Sequence, residues 1–137
     1  MKTNFGRLLM AIGFSAVLGS SLMVAQPKPT GKADIPFGFY VHNTVLPAGS
    51  YTVQETGTSG VVQIRNNSTG ESILTMAPPD RSGRSENSKL VFHKYGERYF
   101  LSELWLTGSA GVDCVSMGKL EREISKSPAA LATVAMR

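Results

Sequence analysis

Residues 89–106, KLVFHKYGERYFLSELWL, are the most strongly β-like stretch of the chain. Two runs rich in aromatic and branched side chains flank Gly96-Glu97, and a glycine at the first central position suits a two-residue hairpin turn. This turn predicts an antiparallel pair in which Tyr95 faces Arg98 and Phe92 faces Leu101. We therefore expect the hairpin to form the centre of the fold.

The predicted register gives the hairpin two faces, and both are rich in apolar side chains. One face carries Leu90, Phe92, Lys94, Tyr99, Leu101, Glu103 and Trp105, and the other carries Val91, His93, Tyr95, Phe100, Ser102, Leu104 and Leu106. An antiparallel sheet with one side in water should show one polar face. We expect the Trp105 face to pack in the core and the Phe100 face to be covered. The cover is either a C-terminal helix laid over the sheet through Leu120 and Ile124, or a second protein molecule, most simply another copy.

Short apolar runs separated by turn residues continue on both sides of the hairpin. Alternation and bounded apolar runs predict strands over residues 33–41, 44–46, 51–56, 61–65 and 72–76. His42-Asn43 and residues 46–49, LPAG, predict turns. Residues 77–88 lack apolar periodicity and predict a long mobile loop, and residues 108–117 can hold one more strand. Six to eight strands favour a mainly β fold, an antiparallel sandwich or barrel-like sheet.

The C-terminal residues predict a short helix. Leu120 and Ile124 are four positions apart, and Lys119 and Glu123 can pair at the same spacing. Ser127-Pro128 can start another helical turn that continues through AALATVAM. We expect residues 118–137 to form a helical tail.

The first residues have the order of a secretory signal peptide. Lys2 and Arg7 precede an apolar run over residues 8–18, followed by small residues, and this run is shorter than the roughly 20 residues of a membrane span. Cleavage can follow Ser21 or Ala25. With the later site, the chain is divided into a signal peptide (1–25), an extended leader (26–32), a β domain (33–117) and the helical tail (118–137). We expect a periplasmic or secreted protein with no membrane span after signal removal.

Charge and cysteine content exclude some classes of protein. Removing Lys2 and Arg7 lowers the basic count from 14 to 12 against 10 acidic residues, so the net charge falls from +4 to +2. These charges are spread along the chain rather than clustered, so we expect no nucleic-acid partner. Cys114 is the single cysteine, and no intramolecular disulfide can form.

Three segments between residues 33 and 105 carry a family resemblance. ADIPFGFYV, LPAGSYTV and KLVFHKYGERYFLSELW resemble a group of small exported β-rich proteins of acidobacterial type for which no function is assigned. The resemblance implies export, a compact β fold and a charged tail such as KLEREISK. The run LPAGSYTVQET is also similar to a segment of Cna-B and related prealbumin-like sandwiches, where a glutamate can assist a Lys–Asn isopeptide bond. Glu55 matches that glutamate, but no lysine and asparagine match its partners.

Candidate chemistry centres on His93. With Glu103 it can form a general acid/base pair, which would make the protein a small hydrolase or lyase. His42 and His93 are 51 positions apart without a cysteine cluster, which fits no zinc spacing, so we expect neither metal nor cofactor. The rings of Trp105, Tyr99 and Tyr95 can stack on sugars if they form one flat exposed row. That arrangement would indicate a carbohydrate-binding module.

The leading prediction is an exported, non-catalytic β module that acts through surface contacts. It would associate with itself or bind an envelope or extracellular protein or glycan. The expected contact residues are His93, Tyr95, Phe100 and Leu104. The hydrolase or lyase and the carbohydrate-binding module stay as alternatives, because a concave pocket around His93 would favour the enzyme and a flat face would favour binding.

Overall fold

The computed structural model describes residues 28–82, 86–109 and 111–137. The predicted signal peptide, residues 1–25, lies outside the described residues. The described strands and helix are, in chain order, β1 Thr30–Ile35, β2 Phe39–Val41, β3 Thr44–Leu46, β4 Gly49–Glu55, β5 Val61–Asn66, β6 Ser72–Met76, β7 Pro79–Ser82, β8 Lys89–Tyr95, β9 Arg98–Trp105, β10 Gly111–Cys114, α1 Lys119–Ile124 and β11 Ala130–Ala135.

Two sheets share one apolar core. The smaller sheet has the strand order β1-β4-β5-β6, and the larger has the order β11-β8-β9-β10-β7, with β2 joined in parallel to β9 and β3 paired to β2. Buried side chains from both sheets form a single cluster, which includes Val53 and Ile64 from one sheet and Phe92 and Leu101 from the other. The prediction of a mainly β sandwich with a short C-terminal helix is confirmed, and the sheets do not close into a barrel.

The first predicted strand is two strands in different sheets. Ala33 and Ile35 lie in β1, which pairs with β4, whereas Phe39 and Val41 lie in β2, which contacts β9. The alternating apolar residues continue through both strands and all four are buried. Pro36 lies at the change of sheet, where its missing N–H costs no ladder hydrogen bond.

The central hairpin has the predicted register only in the half nearest its turn. Tyr95 faces Arg98 and Phe92 faces Leu101, as expected, but Val91 faces Glu103, so Ser102 is an extra residue in β9. This bulge reverses the faces of the rest of β9. The prediction that the Trp105 face packs in the core is confirmed for Leu90, Phe92, Tyr99 and Leu101 and is wrong for Glu103 and Trp105, which follow the bulge.

Beyond the bulge, the inner face of β9 is formed by the residues adjacent to Trp105. Leu104 and Leu106 are 0% and 1% exposed and belong to the core cluster. Trp105 lies opposite Lys89 on the outer face, and the Lys89 ammonium sits 4.8 Å from the centre of its indole ring.

The C-terminal tail is helical only at its start. The predicted helix forms α1, but its expected continuation through AALATVAM is wrong, because Ala130–Ala135 is strand β11 and pairs with β8. Ala132 and Val134 pack against the core and Met136 is buried in it. An apolar pattern over only six residues fits both the period of a helix and that of a strand. These residues form a strand because the edge of β8 is open for pairing.

Three other segments also pair with strands. Within the predicted loop of residues 77–88, Pro79–Ser82 is β7 and pairs with β10, while residues 83–85 lie outside the described part of the chain. The ambiguous residues 108–117 contain β10. The end of the predicted leader, from Thr30, belongs to β1. In the described ranges, no helix has the length and apolarity that a membrane crossing requires.

Met136→Ala should lower the free energy of unfolding by about 2 kcal/mol or more, since truncating a buried methionine loses apolar burial and leaves a cavity. Met136 is 9% exposed, whereas Leu131 on the adjoining strand β11 is 70% exposed. Leu131→Ala is therefore the matched control, with an expected change within about 0.5 kcal/mol. Urea unfolding of both variants measures the difference, and equal effects would contradict the docking of β11.

Candidate functional site

A polar cluster lies on the outer face of the larger sheet. We call it the His93 cluster, and it consists of His93 and Tyr95 from β8, Ser102 from β9 and Glu121 from α1. Ser102 lies on the same face as His93, as the predicted register places it, because it is two positions from Phe100, the residue paired with His93. Helix α1 brings the carboxylate of Glu121 onto this face from outside the sheet.

The cluster is a continuous chain of hydrogen bonds. His93 Nδ1 lies 3.0 Å from Glu121 Oε1, and His93 Nε2 lies 3.2 Å from Ser102 Oγ. Because a carboxylate accepts, the network assigns the proton of a neutral imidazole to Nδ1, and Nε2 then accepts from the serine hydroxyl. Tyr95 also donates to Glu121 Oε1, at 3.3 Å. This order of hydroxyl, imidazole and carboxylate is the order found in serine nucleophile triads.

Burial differs along the chain of hydrogen bonds. The side chain of Glu121 is 5% exposed and that of His93 is 26% exposed. Burial raises the pKa of Tyr95, and the negative charge of Glu121 and its hydrogen bond add to the effect. The carboxylate of Glu121 is therefore shielded from solvent, whereas the imidazole of His93 is partly accessible to it.

Helix α1 is held by the turn between β2 and β3. An added Cβ at Gly118, the residue before the helix, would meet the backbone carbonyl carbon of His42 at 2.7 Å. Asn43 Oδ1 accepts from the backbone N–H of Leu120 at 3.4 Å. The helix covers part of the sheet as the sequence predicts, but Glu121 is its buried residue, whereas Leu120 and Ile124 are half-buried.

The expected contact residues are divided between the surface and the interior. His93 and Tyr95 are half-buried members of the cluster, whereas Phe100 and Leu104 are 1% and 0% exposed. Tyr40 stacks on Phe100 with ring centres 4.6 Å apart, and Tyr95 meets its edge. Phe100 and Leu104 therefore supply no exposed apolar patch, and the cover of the Phe100 face comes from the same chain.

The predicted pair of His93 and Glu103 does not form in the structure. Glu103 Oε2 accepts from the indole N–H of Trp105 at 3.0 Å, and the carboxylate on His93 is that of Glu121. The sequence missed Glu121, because nothing in KLEREI distinguishes it from Glu123. Residues 93 and 121 come together only when α1 folds back over the hairpin.

The predicted row of stacking rings is also divided. Tyr99 lies on the core side of the sheet, where it stacks on Phe37 with ring centres 3.7 Å apart. Trp105 and Tyr95 lie on the outer face. The three rings therefore do not form one flat platform.

A second polar centre lies between the sheets. Asp113 is 4% exposed, and its carboxyl group is in hydrogen-bonding contact with that of Glu55. Burial, followed by the charge and hydrogen bond of Glu55, raises the pKa of Asp113 from 3.8 to about 7. The sequence pointed to Glu55 only by resemblance and assigned no role to Asp113, so this pairing was not predicted.

Comparisons of the chain with protein-family models, with curated proteins and with solved structures found no match. Function must therefore be inferred from the two polar centres and from the exposed surface.

Asp113→Asn should flatten the pH dependence of stability. Between pH 3.8 and about 7 the folded protein keeps a proton on Asp113 that the unfolded chain has lost, so the free energy of unfolding falls as pH rises through this range. The amide cannot ionise, so the variant should lose this slope and gain most relative to the parent above pH 7. Urea unfolding from pH 4 to pH 8 measures it.

Glu97→Gln is the control for this measurement, because Glu97 is an exposed acid in the hairpin turn. It should keep the slope of the parent. Parallel pH profiles for the parent and Asp113→Asn would show that Asp113 does not carry the effect.

Proposed function

We propose that the mature protein is an exported β module that acts through surface contacts, and that its partner is a second copy of the same chain. The observation that carries the proposal is the character of strand β6. Within the described residues, β6 pairs with β5 alone, and its side chains Leu74 and Met76 are 66% and 61% exposed.

The sequence of β6 lacks the features that usually protect a free edge. Natural edge strands carry lysine, proline or a bulge, because unpaired N–H and C=O groups otherwise recruit another strand. The five residues of β6, SILTM, include no charge and no proline, and the pairing of β6 with β5 is regular. An added strand therefore meets neither a charge nor a kink.

A second copy can pair with this edge, because two identical antiparallel strands are related by a two-fold axis. Two β6 strands paired antiparallel about Leu74 would place Leu74 opposite its counterpart and Ser72 opposite Met76 of the other copy. No like charges would face each other. Leu74 and Met76 of the two copies would form one apolar strip across the two joined smaller sheets. The pairing would then bury apolar surface in addition to forming main-chain hydrogen bonds.

The opposite side of the sandwich is already joined. The backbone groups of Lys32 and Arg137 exchange two hydrogen bonds, of 2.8 and 2.9 Å, and Arg137 also forms an ion pair with Asp34. These contacts connect the end of the tail to β1 and leave β6 as the favoured edge of the smaller sheet.

Leu74→Lys should convert a dimeric parent to a monomer. The variant sets two ammonium groups opposite each other and removes the contact between the two leucines, so the dimer should weaken by about 10-fold or more. Light scattering coupled to size exclusion, across protein concentrations, measures the mass. The melting temperature of the variant monomer checks that the fold is intact.

Leu131→Lys is the matched control, because Leu131 is an exposed leucine on the edge strand of the other sheet. It should leave the dimer intact. A parent that stays monomeric at high concentration would overturn the proposal, and dissociation by Leu131→Lys alone would move the interface to β11.

A second candidate function is favoured by the hydrogen-bond order of the His93 cluster. We propose an ester hydrolase in which Ser102 Oγ attacks the acyl carbon while its proton passes to His93 Nε2, and Glu121 stabilises the resulting imidazolium through Nδ1–H. His93 then returns the proton to the departing alcohol. Water hydrolyses the acyl-serine by the same route and releases the carboxylic acid.

Ser102→Ala should abolish covalent labelling by a fluorophosphonate and lower the hydrolysis of p-nitrophenyl acetate by about 1,000-fold or more, since no nucleophile remains. Ser116, an exposed serine, supplies the control variant Ser116→Ala, which should keep both signals. Intact mass spectrometry detects the adduct. A parent that takes no label would exclude the hydrolase.

A further inference from the structure

The side chains of Glu55 and Asp113 approach each other from the inner faces of the two sheets. Tyr51, Val53 and Glu55 alternate on the core side of β4, and Glu55 is the last residue of that strand. Asp113 faces Leu104, a core residue of β9, so it also projects between the sheets. Two acidic side chains thus occupy the positions where the apolar core ends.

A pocket opens at this end of the sandwich. Its volume is about 110 Å³, which exceeds the roughly 10–15 Å³ that one water molecule requires. Its oxygen-bearing side chains are those of Glu55, Thr56, Thr58, Ser59, Ser109 and Asp113. Among the described residues that line it, none is lysine, arginine, histidine, cysteine or methionine.

Asp113, which lines this pocket, has one side-chain oxygen without a partner in the described part of the chain. Asp113 is 96% buried, since its exposed fraction is 4%, and its Oδ2 has no hydrogen-bond partner among the described residues. An unpaired buried carboxyl oxygen is costly and is rare in folded proteins. The strand geometry is also irregular here, because the pairing of β10 with β7 shifts between Val112 and Asp113. Bulges of this kind often occur where a side chain is aimed at a site.

We infer that this pocket binds a hard divalent cation of the calcium type through the carboxylates of Glu55 and Asp113. Ca²⁺ takes six to eight oxygen ligands in flexible geometry, and carboxylates, hydroxyls, backbone carbonyls and waters all serve. The ion would neutralise two adjacent acids and provide the missing partner of Asp113 Oδ2. This binding goes beyond the proposed function and does not depend on it.

The number of acidic ligands sets the strength of the site. No group of three or more His, Cys, Asp and Glu side chains in the described residues is arranged for a metal, so hydroxyls, main chain and water must complete the shell. Sites of low ligand charge in extracellular modules have dissociation constants of roughly 10⁻⁴ to 10⁻³ M. We expect an affinity in that range.

Titration of the mature protein with CaCl₂, after treatment with a chelator, should raise its melting temperature with saturation near 1 mM and give one-site binding heat in calorimetry. Asp113→Asn and Glu55→Gln should each weaken binding by at least about 10-fold, because each removes one charged ligand. Glu97→Gln, distant in the hairpin turn, should bind as the parent does.

Two readouts separate a lost ligand from a damaged fold. In the chelator, Asp113→Asn should be at least as stable as the parent, because the amide removes the repulsion between the two acids. An unchanged melting temperature of the parent in CaCl₂, or a full calcium shift retained in both variants, would overturn the inference. An equal shift from MgCl₂ at the same concentrations would overturn the calcium assignment, because Mg²⁺ demands a tighter octahedral shell.

Discussion

The extra residue at Ser102 in β9 sets which side chains of the central hairpin face the core. Without it, alternation would continue from Leu101 and bury Trp105 instead of Leu104. With it, Leu101 and Leu104 both face inward, and Ser102 projects outward beside His93. The local irregularity therefore completes the apolar core with Leu104, and Ser102 remains on the opposite face, where alternation from Leu101 also places it.

The outer face of the hairpin shows how a sheet with two apolar faces is accommodated in one chain. Phe100 is covered by Tyr40 and Tyr95, and α1 closes over His93 with a glutamate as its buried residue. A buried glutamate needs partners, because an unpaired buried charge is costly. His93 and Tyr95 supply them. The position of α1 on the sheet is therefore specific, because the carboxylate of Glu121 has to reach these two donors.

Asp113 and the β6 edge share a physical property, although Asp113 is buried and the β6 edge is exposed. Each presents groups whose hydrogen-bonding capacity the described chain does not use: a buried carboxyl oxygen in the first case and a row of main-chain groups in the second. Burial makes the first costly, and the cation that we propose would satisfy it, whereas water satisfies the second unless the proposed second copy pairs there. With no disulfide available, the two proposed partners would each add to the stability of the folded chain.

The sequence alone determined the features that depend on neighbouring residues. Gly96-Glu97 determined the turn and the first four pairs of the hairpin, apolar runs between turn residues identified β4, β5 and β6, and the spacing of Leu120 and Ile124 identified α1. Local backbone preferences and side-chain periodicity are sufficient for these. Tertiary structure alone decided the bulge at Ser102, the change of sheet at Pro36 and the strand state of the last residues. Each depends on which edge or face is left open by elements distant in sequence. The contacts of Glu121 with His93 and of Asp113 with Glu55 belong to the same class, because side chains so far apart in the chain meet only after the sheets and α1 have packed.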